Sequence, residues 1–218
     1  MYDGWMKSKT TLALSLITAV VLMAGCASTR NYKKAEDTSH SLENTAQVIH
    51  QSNVQVGIVT STLGSLVESP YQNIRPQFEK FDTEVAKLDS QAKDVYAQSS
   101  SIQKEGADYF KSWDEDIAII KNADIRERST ERKQTMAERF EEVRINYEKA
   151  KGDLVLFLSD LKDIRTALAS DLTSDGLKSV EDATEDSEDS AKQLQKTLGR
   201  LEVDFKDLSA AMSTTARY

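Results

Sequence analysis

The chain is poor in the residues that punctuate and crosslink folds. Only 8 Gly and 2 Pro occur among 218 residues, against roughly 12% for the pair in an average protein. A β-sandwich or barrel needs a turn residue every dozen positions or so, and this deficit excludes one. A single cysteine, Cys26, excludes an intrachain disulfide framework and a thiolate zinc cluster. The two histidines, His40 and His50, stand ten residues apart on one helical stretch, which is not the spacing of a metal-binding pair. No glycine loop that could cradle a phosphate and no Ser–His–Asp arrangement is visible, so neither cofactor nor metal is expected and catalysis is disfavoured. Asp plus Glu outnumber Lys plus Arg by 36 to 28, a formal net charge of −8. That balance does not suit a nucleic-acid binder, which carries a basic patch.

What is present begins with an address. Lys7 and Lys9 precede an apolar run from Leu12 to Met23. Twelve helical residues cover about 18 Å, too little for a hydrocarbon core of roughly 30 Å, so the run reads as the apolar core of a signal peptide. It ends Leu22-Met23-Ala24-Gly25-Cys26, with small residues before the only cysteine. This pattern resembles a bacterial lipobox and identifies Cys26 as the acylation site, with residues 1–25 removed and 26–31 as a lipidated linker. An ordinary signal peptide with a chance cysteine, or an uncleaved anchor, are the other readings. Ala27 is not Asp, which by resemblance to Gram-negative sorting favours the inner leaflet of the outer membrane, facing the periplasm. Met6 is a second candidate start. Cleavage removes Lys7, Lys9 and Asp3, a net +1, which takes −8 to −9. Acyl chains contribute about 0.8 kcal/mol per buried methylene, and two or more anchor a protein stably.

The remainder, 32–218, carries four seams with apolar residues at alternating steps of three and four. The second runs from Phe78 through Val85, Leu88, Val95, Ile102, Tyr109 and Trp113 to Ile120, which is coiled-coil periodicity. The first runs from Tyr32 to Val67, the third from Ile125 to Leu172 and the fourth from Leu177 to Met212. Connections are expected at Ser69-Pro70 to Arg75-Pro76, at Asn122-Ala123-Asp124, and at Thr173 to Gly176, where Ser174 or Asp175 suits an N-cap. Short connections make successive helices antiparallel neighbours. The fold class is therefore all-α: an elongated antiparallel four-helix bundle or coiled coil, closed or divided into two hairpins.

The seams fix a register. Facing positions on the second and third helices have residue numbers adding to about 246, which sets Gly106 against Phe140. Those on the third and fourth add to about 348, and those on the first and second to about 141. The second and third helices then outrun the others, and the hairpin from Phe110 to Gln134 protrudes as a two-stranded tip. Trp113, Ile117, Ile119, Ile120, Ile125 and Arg132 are the candidate membrane or partner residues there, at the same end as Cys26. Trp113 and Arg132 occupy facing positions suited to a cation–π pair. Six basic and six acidic residues lie between Lys111 and Lys133, so no net attraction to anionic lipid is expected. A solvated tip whose isoleucines pair with each other is the alternative.

The first helix has one charge, Glu43, between Thr38 and Val67, and Val48, Val54, Ile58 and Leu66 form a second apolar stripe beside its seam. A helix apolar on more than one face is buried on more than one, either within the bundle or against another copy. These four residues are the candidate homo-oligomer face. The run Glu181 to Asp189 holds six carboxylates; it lacks the glycine and alternation of a calcium loop and reads as a solvated face at a helix start.

The stretches Tyr109 to Asp116, Ile125 to Arg132 and Leu161 to Ser174 resemble the bacterial helical family known as domain of unknown function 2959, over roughly Leu63 to Met212. The resemblance implies a coiled-coil envelope protein with no assigned activity and supplies no catalytic residues. The resulting expectation is an outer-membrane-anchored periplasmic lipoprotein acting as a structural or adaptor scaffold toward envelope proteins. A membrane-binding or membrane-shaping role of the tip is the alternative.

Overall fold

A computed structural model describes residues 26–68 and 74–213, with side chains from residue 31 onward. The expected signal peptide, residues 1–25, and the Ser69-Pro70 connection lie outside the described residues. The elements are α1 (Cys26–Val67), α2 (Ile74–Ile119), α3 (Ala123–Ser170), a short α4 (Ser174–Ser179) and α5 (Glu181–Met212), with no strand among the described residues. The longest, α3 with 48 residues, extends about 72 Å at 1.5 Å per residue.

The long helices form a ring in which α1 packs on α2, α2 on α3, α3 on α5, and α5 back on α1. The bundle is closed. All four interfaces are antiparallel, as the paired residue numbers show. On α1 and α2, Lys34 reaches Ser112 and the Asp108 carbonyl, Thr45 donates to Gln98, and Gln55 donates to Glu84 at 2.6 Å. On α2 and α3, Lys133 pairs with Asp114, Arg165 with Asp82, and the Lys151 ammonium sits 5.5 Å from the Tyr96 ring. Gly106 abuts the Phe140 ring in the expected register. On α3 and α5, Asn146 donates to Asp204. The α1–α5 seam is set by Ser39 with Ser209 and His50 with Glu202.

One apolar core runs through the ring, from Leu42, Ile49 and Leu63 on α1 to Phe81 and Leu88 on α2, Phe157 and Leu161 on α3, and Leu194 and Leu201 on α5. Backbones approach most closely where α1 meets α2 and α5. The reason is its small side chains: Ala35, Thr38, Ser39, Thr45, Ala46, Ser52 and Thr62 are all buried. Thr45, Ser52 and Thr62 turn their hydroxyls back to the carbonyls of Ser41, Val48 and Ile58, so burial leaves no lost hydrogen bond.

Three boundaries differ from the sequence reading. Residues 26–31, expected as a linker, are helical, and α1 opens at Cys26. Pro76 lies inside the first turn of α2 rather than before it, where a missing N–H costs nothing. The fourth seam is two helices. Thr173, not Ser174 or Asp175, caps α4 by accepting from the Gly176 N–H, and the backbone breaks at Val180 (φ −111°, ψ 5°) before α5 begins.

Candidate functional site

The projecting end of the bundle is built by the α2–α3 turn. The Asn122 side chain caps α3 by accepting from the Ile125 N–H at 3.1 Å, and the Arg126 guanidinium donates back to the Ile120 carbonyl. A cation thus sits at the C-terminus of α2, the end of the helix dipole that favours it. The bond from Asn146 to Asp204 sets Met212, the last residue of α5, near the level of Glu138, so residues 123–137 of α3 extend beyond α5 by about 20 Å. Residues 121–128 are all exposed. Because α1 begins at Cys26 and pairs with α2 by numbers adding to about 142, its first turn lies near the level of residue 116, closer to the tip than a start at Tyr32 would place it.

Ile119 and Ile125 are exposed, 68% and 58%, on the two sides of the turn; Ile117 and Ile120 are half-buried between the helices. Below them lies an aromatic cluster. Tyr109 packs on Phe110 and Trp113 with ring centroids 5.1 and 5.5 Å apart, and Phe110 meets Phe140 edge-on at 5.7 Å. Burial pushes the Tyr109 phenol up, opposed by the nearby Arg132 guanidinium. The expected pairing of Trp113 with Arg132 is replaced by another. The Trp113 indole N–H donates to the Ser129 hydroxyl at 3.2 Å, while Arg132 is exposed and stands by Tyr109. The described part of α5 ends below this level, and the long cationic side chain of Arg132 turns to water there.

The α1 stripe is split. Leu66 is fully buried and Val48 packs partly against the core, so neither belongs to a free face; Val54 (51%) and Ile58 (37%) are exposed. The expected four-residue oligomer face therefore reduces to two, because closure of the ring uses the second apolar side of α1 internally. His50 Nδ1 lies 3.0 Å from Glu202, which also holds Lys206 at 2.7 Å. Burial pushes the Glu202 carboxyl up, but Lys206 and His50 together hold it below its usual range. The carboxylates of 181–189 open α5, whose first turn has no side-chain cap; their charge faces the positive end of the helix dipole. Among the described residues no group of three or more His, Cys, Asp or Glu is arranged to hold a metal ion. No described helix is long and apolar enough to cross a membrane.

The sequence reading missed the polar seam between α1 and α5. Ser39 and Ser209 exchange hydroxyl-to-carbonyl bonds at 3.0 and 2.9 Å in a buried position, and Gln195 reaches the Asn53 carbonyl beside Gly57. Ser39 at a seam position of the first helix was the available signal; Ser209 stands one residue past the seam position Leu208 and carried none.

Fold and site together define an elongated all-α bundle with an exposed hairpin end. The chain belongs to the family described as "Protein of unknown function (DUF2959)", whose model matches residues 33–206. No curated protein and no solved structure matches it.

Proposed function

We propose that the protein is a lipid-anchored scaffold of the bacterial cell envelope, held by acylated Cys26 in the inner leaflet of the outer membrane and acting by binding envelope proteins rather than by catalysis. The observation that carries this reading is positional. Cys26, which ends the lipobox-like Leu22–Cys26, is the first residue of α1 and lies at the end of the bundle where the α2–α3 hairpin projects. An anchor there holds the rod by one end and leaves its sides open to partners along about 70 Å. The test is expression of the full chain in a Gram-negative host with a labelled fatty acid. Label on the mature N-terminus, lost in Cys26→Ala, is expected. An unlabelled chain, or label that survives Cys26→Ala, overturns the anchor. Crosslinking in intact cells then identifies the proteins bound.

A second reading, that the tip itself enters the membrane, is favoured by the exposure of Ile119 and Ile125 beside that anchor. It expects Trp113 emission to shift blue when lipidated protein meets vesicles, and Ile119→Asn with Ile125→Asn to abolish the shift. No shift in the unaltered protein overturns it.

A further inference from the structure

Packed between α2 and α5, α1 still turns one face outward. Along about five turns of that face, Gln47, Gln51, Val54, Ile58, Ser61 and Ser65 are exposed, and none of them is charged. Charged residues make up 29% of the chain, and the outward face of a surface helix is where they normally stand.

The relief of this face is one-sided. Gly57 lies against Gln195 and Gly64 against Glu188, so both glycines stand on the α5 side. With Ser61 and Ser65 they line an open groove of about 390 Å³ between α1 and α5. Ile58, about 100° round the helix from Gly57, stands on the α2 side, where Gln55 donates to Glu84. Val54 and Ser61 fall between the two sides. The face therefore carries an apolar ridge and a groove of small residues next to each other, at one level of the rod.

That relief fits itself. A two-fold axis parallel to α1 brings Ile58 of a second copy opposite the groove of the first, and the first Ile58 opposite the second groove. Such reciprocity is what an isologous interface requires, and small residues let the backbones approach closely. An antiparallel pairing would set ridge against ridge. The same axis places the α2 border, with Glu84 and Lys87, beside the α5 border, with Glu188 and Lys192, so the edges offer both signs to each other. In a chain of formal net charge −8, a neutral strip is also where two copies meet with least repulsion.

We propose that the outward face of α1 is the interface of a parallel homodimer. The inference does not rest on the lipid anchor. The strip from Gln47 to Ser65 is about 27 Å long and one helix wide, small beside the roughly 800 Å² per partner of a standard interface, so the affinity expected is micromolar.

Thiol crosslinking of the purified full-length chain tests it, in a Cys26→Ala background where an introduced thiol is the only one. Val54→Cys and Ser61→Cys lie along the proposed axis, and each should give a covalent dimer on mild oxidation. Val155→Cys, equally exposed on α3, should not. Ile58→Asp added to Val54→Cys should cut the covalent dimer about tenfold, because it presents a carboxylate to the groove beside Glu188. Circular dichroism checks that each variant is folded. Should Ile58→Asp not fold, Ser65→Asp at the fully exposed edge makes the same test. The proposal is overturned by a dimer yield no higher than that of Val155→Cys, or by a yield that the added carboxylate leaves unchanged. A dimer formed only when Val54→Cys is mixed with Ser61→Cys marks an antiparallel pairing and also overturns it. So does a crosslink from Val54→Cys to a different protein in intact cells when the purified chain gives no dimer.

Discussion

The Phe140 ring occupies the space that a β-carbon on Gly106 would need. The smallest seam residue of α2 thus receives the largest side chain offered by α3 at that level, and Phe110 closes the pocket edge-on. Gly106→Ala gains about 1 kcal/mol of helix propensity but must displace the ring. Overpacking costs about 1–3 kcal/mol, so a net loss of stability is expected in urea unfolding. Phe140→Leu in the same chain should recover part of that loss, because the two positions are coupled.

Ser39 and Ser209 share reciprocal bonds in the α1–α5 seam. Either serine replaced by alanine loses its own bond to the other's backbone carbonyl and the 3.1 Å contact between the two hydroxyls, while the remaining hydroxyl keeps its carbonyl acceptor, at about 0.5–1.5 kcal/mol. The double replacement removes both groups and should cost less than the sum of the singles. A double-mutant cycle measured by denaturant unfolding reads the difference directly, and strict additivity would show that the bonds do not couple.

At the opposite end, a β-carbon on Gly176 would run into the backbone carbonyl of Asp171. Backbone cannot rotate away as a side chain can. Gly176→Ala is therefore expected to disrupt the α3–α4 turn and lower stability by about 2 kcal/mol or more. Limited proteolysis should then cut near Thr173, a site that stays protected in the unaltered chain.

Tyr147 is buried, and desolvation, opposed by a hydrogen bond from Ser99, pushes its phenol up to about 12. A group whose folded value exceeds its unfolded value near 10 contributes stability that is complete below pH 10 and is lost as pH rises toward 12. The scale is about 2–3 kcal/mol. Tyr147→Phe should flatten the alkaline limb of a stability profile between those values. Asp89 works in the opposite direction. Its hydrogen bonds to Lys162 and then Lys93 hold its carboxyl below the ordinary 3.8. Its contribution is present above that pH and is lost as pH falls through the lowered value, a loss that Asp89→Asn should remove.

Seam periodicity and register were legible in the sequence because heptad spacing dictates which residues meet. Gly106 with Phe140 followed from matching the smallest position to a large one along a hairpin. The break at Val180 was not legible, since Leu177, Val180 and Thr184 continue the seam without interruption and the bend is set by the Thr173 cap and the fit of Gly176 against Asp171. The depth of α1 was half legible. Its lack of charge signalled burial on two sides, but nothing in the apolar pattern picks out Thr45, Ser52 and Thr62, which bury because their hydroxyls bond to their own helix. At the tip the isoleucines were legible as apolar. Which of them stay exposed depended on where α5 stops.

The close fit of α1 between two antiparallel neighbours has a mechanical consequence. A pull on the residue that opens this helix acts along its axis, so Ser39, Thr45 and Gln55 and the apolar side chains among them are loaded in shear, all at once, on two flanks. Peeling would break such attachments one after another at low force; shearing requires that they yield together. The rod is thus built to withstand tension applied at its first helix.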